Sequence, residues 1–285
     1  MKSFLLTAIA ILFASVSVMS QSNPLGKASF VESADSIRIA YEVYGEKSPA
    51  LVFIHGWSCD RSYWNAQIEP FSKQYKVVVI DLAGHGESGL GRKNYTIEAF
   101  GADVAAVVKK LGLQRIILIG HSMGGDVIAE AAFRLPGRVL GLVMVDVYKR
   151  IGAGRPPEEV QAIKARVAVN FKDSTKVLVR SMFLPTSDAS LVERVAEDMS
   201  MAPPGVALSA LENALTYSRQ ISKSLSMLKL PVIAINPDNS PTDFESMKHY
   251  GVEVMIMPGF GHFLMMENPK RFNDVLKKAI DSLNK

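Results

Sequence analysis

Ile116-Ile117-Leu118-Ile119 runs without a break into Gly120-His121-Ser122-Met123-Gly124-Gly125, and this stretch decides the fold. Four consecutive apolar residues read as a strand covered on both faces. A helix beginning near Gly124 or Gly125 carries Asp126 to Phe133. The Gly-x-Ser-x-Gly between them is the pattern of a nucleophile elbow, where the chain reverses from strand to helix within a few residues. That reversal crowds the backbone, and glycine at 120 and 124 removes Cβ atoms that would collide there. Ser122 then projects from the turn. The Met123 N–H faces the same space, beside a helix N-terminus that favours negative charge. A glycine-rich turn without chemistry is the bland alternative; the strand before and the helix after favour the elbow.

Outward from this stretch the chain alternates strands with helices. Ser29 to Glu32 and Ile37 to Tyr44 read as short strands, and Ala50 to Ile54 and Lys76 to Ile80 as buried ones. A helix is expected over Tyr63 to Tyr75 and another over Tyr95 to Leu111, with Thr96 as N-cap and Gly112 as C-cap. Strand Leu142–Val145 follows the elbow helix. Residues 150–225 hold no convincing strand and give helical pieces broken by Pro156-Pro157, Pro185 and Pro203-Pro204-Gly205. The rhythm resumes with strands Pro231–Ile235 and Val252–Met257 and a final helix from Pro269 to Leu283. Alternation of this kind predicts an α/β fold with a mostly parallel, doubly wound sheet. The expected division is a core of 21–149 and 226–285 and a helical cap of 150–225.

Composition bounds the function. The chain has 285 residues, 48% of them apolar, so it can bury a large core. Its formal charge of +4 is spread along the chain without a dense Lys/Arg block, so nucleic acid is not an expected partner. Residues 1–20 read as a secretory signal: Lys2 is the basic n-region, Phe4 to Phe13 the apolar core, and Val18-Met19-Ser20 the small-residue end. Export to the periplasm or the extracellular space is therefore expected, with no stable membrane span after cleavage; an uncleaved N-terminal anchor is the rival reading. Cys59 is the single cysteine, so no intramolecular disulfide can form.

Acyl transfer by a serine needs a nucleophile, a base, an acid that orients the base, and an oxyanion hole. Ser122 is the candidate nucleophile. His262, in Pro258-Gly259-Phe260-Gly261-His262-Phe263, follows a strand and emerges on the same sheet edge as the elbow. The other histidines fit less well. His121 should point away from the elbow's tip, His85 sits in a turn, His249 lies in a polar helical segment, and His55 starts another loop. The acid is expected to be Asp238, after strand Pro231–Ile235. Asp146, at the end of Leu142–Val145, is the second candidate and Asp243 the third; a turn or cap role is the bland reading of each. The oxyanion hole should use the backbone N–H groups of Met123 and of Trp57, in the loop His55-Gly56-Trp57-Ser58. No metal site and no cofactor are suggested, because the histidines lack ligand-like pairing with carboxylates or with Cys59.

Taken together, His55-Gly56-Trp57, Asp81-Leu82-Ala83-Gly84-His85-Gly86-Glu87-Ser88, Gly120 to Gly125 and Gly261-His262 resemble the α/β-hydrolase superfamily over residues 28–283. The resemblance implies a structural role for the Asp81–Ser88 turn, and the helical stretch is similar to the family's cap. Many members carry Gly-x-x-Asp where this chain has Asn236-Pro237-Asp238; in some the acid follows the preceding strand, where Asp146 lies. Dehalogenases and epoxide hydrolases of the family place aspartate at the elbow and dienelactone hydrolases cysteine. A serine there implies hydrolysis of an ester, thioester, lactone or amide. The expected function is that of an exported carboxylesterase acting on a small or medium ester. Cofactor-free haloperoxidases, lyases on the same triad, and non-catalytic binding proteins of the fold are the alternatives.

Overall fold

The computed structural model describes residues 27–152 and 154–285. The signal segment expected over 1–20 lies outside them. Among the described residues, eight strands form one sheet. They are β1 (Ser29–Glu32), β2 (Arg38–Tyr44), β3 (Ala50–Ile54), β4 (Lys76–Ile80), β5 (Ile116–His121), β6 (Val139–Val145), β7 (Val232–Pro237) and β8 (Val252–Met257). The strand order is β1-β2-β4-β3-β5-β6-β7-β8. β1 pairs antiparallel with β2, and β2 with β4; every other pairing is parallel. The central strands β3 and β5 are buried at every position, as their unbroken apolar runs require.

The order places the helices. From β3 the chain steps one way to β4 through α1 (Asn65–Ser72). It then returns past β3 to β5 through α2 (Ile97–Lys110) and continues through α3 (Met123–Phe133) to β6. Right-handed crossovers put helices that join opposite steps on opposite faces of a sheet. Accordingly α2 packs on α3, whereas α1 packs on the final helix, α11 (Pro269–Leu283). The face of α11 turned to the sheet carries Phe272, Leu276, Ala279, Ile280 and Leu283, all buried. Its N-terminus is closed by Asn268, whose side chain accepts the Arg271 N–H at 3.0 Å. Thr96 caps α2 in the same way, accepting from Ala99 at 3.1 Å.

The single helix expected over Tyr63–Tyr75 is instead a 3₁₀ turn at Arg61–Trp64 followed by the short α1. Asp60 starts the turn by accepting the Ser62 N–H at 2.7 Å. Between β6 and β7 the described chain forms only helices: α4 (Pro157–Val169), α5 (Phe171–Arg180), α6 (Ala189–Ser200), α7 (Pro204–Tyr217) and α8 (Ile221–Leu228). Beyond β7 lie α9 (Phe244–His249) and, before α11, the single turn α10 (Leu264–Glu267). Among the described residues no helix is long and apolar enough to cross a membrane.

Candidate active site

The switch in winding direction falls between β3 and β5, the place in an open α/β sheet where ligands are bound at the carboxyl ends of the strands. The register of β3 and β5 sets Ile54 beside Gly120. One step further on, a Cβ placed on Gly56 would lie 3.3 Å from Ser122 Cβ. The loop after β3 therefore lies against the elbow after β5.

The elbow has the geometry its glycines foretell. Ser122 has φ 52° and ψ −123°, a conformation that non-glycine residues adopt only under constraint. Its N–H donates to the Val145 carbonyl at 3.0 Å, and its carbonyl accepts the Gly125 N–H at 2.8 Å. A Cβ on Gly120 would stand 2.2 Å from the Gly124 carbonyl oxygen; one on Gly124 would stand 2.6 Å from the carbonyl oxygens of Ile54 and His55. Strand, turn and helix can close this tightly only with hydrogen at both positions. Ser122 is half-buried at the N-terminus of α3.

His262 is the imidazole that reaches an aspartate. Its Nδ1 lies 2.6 Å from Oδ2 of Asp146. With Nδ1–H donating to that carboxylate, Nε2 is left as the acceptor. The expected pairing with Asp238 is not formed: Asp238 Oδ1 accepts the Gly259 N–H at 2.7 Å and holds the base loop from outside. Asp243 is the N-cap of α9, accepting from the Ser246 N–H at 2.9 Å. The physical reason lies in the backbone of Asp146. It ends β6 with φ 44°, its N–H bonded to the Ile235 carbonyl at 2.9 Å, and turns its carboxylate to the imidazole. Burial alone would raise the Asp146 carboxyl, but the His262 hydrogen bond and the charges of His262 and Lys149 outweigh it. The net position is below the ordinary carboxylate value.

Several neighbours fix this pair. His121 is 1% exposed; its ring lies 4.5 Å from that of His262, and its Nε2 donates to the His262 carbonyl at 3.0 Å. Burial, with the nearby His262, lowers its pKa to about 3, so it is a neutral donor here. The His262 N–H donates to the Met182 carbonyl at 2.9 Å, which ties the base loop to the end of α5. Glu267 accepts from the Gly261 N–H at 2.9 Å and from the Ser187 hydroxyl at 2.7 Å. Sequence reasoning missed Glu267, Lys149 and the main-chain role of Met182: Met182 lies far from His262 in the chain, and Lys149 and Glu267, although near Asp146 and Gly261 in sequence, belong to no motif.

Trp57 and Met123 carry the two N–H groups expected to face the oxyanion. Neither donates to a protein acceptor among the described residues. The indole of Trp57 is anchored separately, by donation to the Ala207 carbonyl at 2.7 Å. The next residues are fixed as well: the Cys59 thiol, buried, donates to the Trp57 carbonyl at 3.3 Å. Behind the loop His55 accepts the Leu82 N–H on Nε2 at 3.0 Å. Asp81 secures the adjoining turn, accepting from the N–H groups of Arg61 and Glu87 at 2.8 Å each and pairing with the Arg61 guanidinium. Among the described residues no group of three His, Cys, Asp or Glu side chains is placed to hold a metal ion.

Comparison with known proteins gives the same frame. A family model described as alpha/beta hydrolase fold matches residues 49–269. The dihydrolipoyllysine-residue acetyltransferase component of the acetoin cleaving system of Cupriavidus necator is 29% identical over 258 residues, covering 86% of this chain and 67% of that protein. The 3-oxoadipate enol-lactonase 2 of Acinetobacter baylyi is 24% identical over 268 residues, covering 88% of this chain and 96% of the lactonase. A thermophilic esterase from Thermogutta terrifontis, 24% identical, shares the fold with a TM-score of 0.78 over 91% of this chain and 100% of its own.

Proposed function

The chain belongs to the alpha/beta hydrolase fold family, and from that premise we propose that it is a serine hydrolase of small carboxylic esters, lactones included. Ser122 is the nucleophile, His262 the base and Asp146 the orienting acid. The observation that carries this reading is the 2.6 Å contact between Asp146 and His262 on the sheet edge where Ser122 stands in its constrained turn. Asp146 replaces Asp238 as the proposed acid.

The chemistry follows from the atoms present. Ser122 Oγ attacks the ester carbonyl carbon while its proton passes to Nε2 of His262. Asp146 stabilises the imidazolium that forms. The carbonyl oxygen becomes an oxyanion between the N–H groups of Trp57 and Met123, each donor contributing about 2.7–4 kcal/mol in comparable holes. Collapse expels the alcohol, which takes the proton from Nε2. Water then repeats the sequence on the acyl-enzyme, with His262 again as base. The helical insertion between β6 and β7 roofs this edge and shapes the acyl pocket. The resemblance of the chain to an enol-lactonase and to an esterase supports the substrate class.

A fluorophosphonate probe tests the nucleophile. Mass spectrometry should locate the adduct on Ser122, and Ser122→Ala should abolish it; an adduct elsewhere, or none on the folded protein, would sink the assignment. Kinetics over esters of graded acyl length, with lactones and amides beside them, then ranks the substrates. Export belongs to the same proposal. It rests on the reading of residues 1–20 as a signal, and fractionation of cells producing the full chain tests it; retention in the cytoplasm would contradict it.

A further inference from the structure

We propose that Lys149 is a positioning residue for the Asp146–His262 pair, fixing the plane of the acid's carboxylate and keeping it ionised. The proposal rests on the serine-hydrolase reading above. Asp146 uses Oδ2 for His262; its other oxygen, Oδ1, lies 3.1 Å from the Lys149 ammonium. The same ammonium donates to the Pro237 carbonyl at 2.6 Å. Lys149 thus spans the carboxyl ends of β6 and β7, the two strand ends at which an acid could have stood.

This lysine is not a loose surface charge. Its side chain is 21% exposed. Its own carbonyl accepts the Asp243 N–H at 2.7 Å, and Asn236 Nδ2 donates to the neighbouring Tyr148 carbonyl at 2.9 Å. The main chain at Lys149 is therefore held on the β7 side, and the ammonium bridges Pro237 and Asp146. The need is clear from the carboxylate. Rotation about its terminal torsion is soft, so one bond to an imidazole leaves the plane poorly determined. A cation on the second oxygen sets that plane and favours the charged form through a charge-assisted contact. The groups that face the pair are Lys149 on Asp146, and neutral His121 on His262. No other cation is within ion-pair distance of Asp146 among the described residues.

The test is a double-mutant cycle on the full chain. Lys149→Met and Lys149→Arg are measured for kcat and KM, alone and with Asp146→Asn. Residual activity in the Asp146→Asn background is read as the rate at which a fluorophosphonate modifies Ser122. Lys149→Met should lower kcat about tenfold, the scale of one charge-assisted hydrogen bond, with KM within about twofold. Lys149→Arg should restore most of the loss, and Lys149→Met should add nothing once Asp146 is Asn. The NMR resonance of the His262 Nδ1–H should shift in Lys149→Met and return in Lys149→Arg. If Lys149→Met does not fold, Lys149→Gln makes the same comparison, keeping a donor for Pro237 without the charge. Wild-type kcat in the neutral variants overturns the proposal, as does an equal loss with and without the Asp146 carboxylate. A fully active Asp146→Asn protein would overturn the serine-hydrolase assignment of Asp146 itself, and the proposal with it.

Discussion

At the scale of single residues, Asp146 carries the most information. It holds a left-handed backbone, which in a non-glycine residue costs on the order of 1–3 kcal/mol. The surrounding bonds over-determine it: its N–H is fixed by Ile235 and its two carboxylate oxygens by His262 and Lys149. Asp146→Asn should therefore lose on the order of 10⁴ in kcat, because the imidazole tautomer is no longer enforced. Its thermal unfolding should move far less. Asp238→Asn weakens one loop hydrogen bond and should stay within about threefold of wild-type kcat. Steady-state kinetics on both proteins, with circular dichroism to match folding, checks the pair; a crippled Asp238→Asn beside an active Asp146→Asn would reverse the roles.

The same two aspartates mark where sequence reading runs out. Each follows a strand in the same sheet, so sequence places both at the correct edge. Which one reaches His262 depends on a positive φ that no side-chain pattern announces at an aspartate, and on Gly259 engaging Asp238 across the loops. The elbow at Ser122 was legible because a local steric need, glycine at 120 and 124, is written into adjacent residues, and the edge on which the His262 loop emerges was legible from the strand before it. The parallel strands were legible because burial on both faces demands unbroken apolar runs. The break before α1 was not, since it depends on Asp60 bonding to its own neighbour and not on periodicity.

At the scale of elements, the helical insertion is joined to the base loop. The Met182 carbonyl receives the His262 N–H, and Phe183 stacks on Phe263 with ring centroids 5.0 Å apart. A Cβ on Gly261 would stand 2.6 Å from the Met182 carbonyl oxygen and 2.9 Å from Phe183 Cα, both backbone atoms. Gly261→Ala should thus lower kcat by displacing His262 against α5, while Asp146 and Ser122 stay in place. A wild-type kcat for this variant would show that the loop moves freely of the insertion. The apolar side chains of the insertion divide by burial. Met199 is 2% exposed and belongs to the packing, Met201 is 65% exposed, and Met182 and Leu208 are half-buried against the core. Met199→Ala should cost about 2–5 kcal/mol of stability without changing substrate ranking. Met182→Ala or Leu208→Ala should change the preference among acyl lengths, on the scale of about 1–3 kcal/mol per methylene contact. An unchanged ranking in both would remove the insertion from the specificity argument.

At the scale of the whole molecule, stability should follow one buried carboxyl on α3. Asp126 is 5% exposed and accepts the Tyr148 hydroxyl at 2.7 Å; burial raises its pKa to about 7. A raised folded-state value means that the folded protein holds a proton that the unfolded chain has lost. The Asp126 contribution therefore falls as pH rises, from near the unfolded value of about 4 up to about 7. Across that window the loss amounts to a few kcal/mol at about 1.4 kcal/mol per unit. Asp126→Asn keeps a partner for Tyr148 and removes the titration, so its melting temperature should vary less between pH 4 and 7 than that of the wild type. Parallel slopes for the two proteins would assign the pH dependence to other groups.

Cys59 gives the molecule a built-in chemical clock. It is the chain's one thiol, buried, with burial pushing its pKa well above the usual thiol value, and it donates to the main-chain carbonyl of Trp57. A thiol in that state reacts with an alkylating agent only when the loop Trp57–Cys59 opens away from the residues packed over it. The rate of alkylation at a single site therefore reports how far that loop is open. A substrate analogue that occupies the N–H of Trp57 should slow the clock, with no dye, tag or second cysteine introduced.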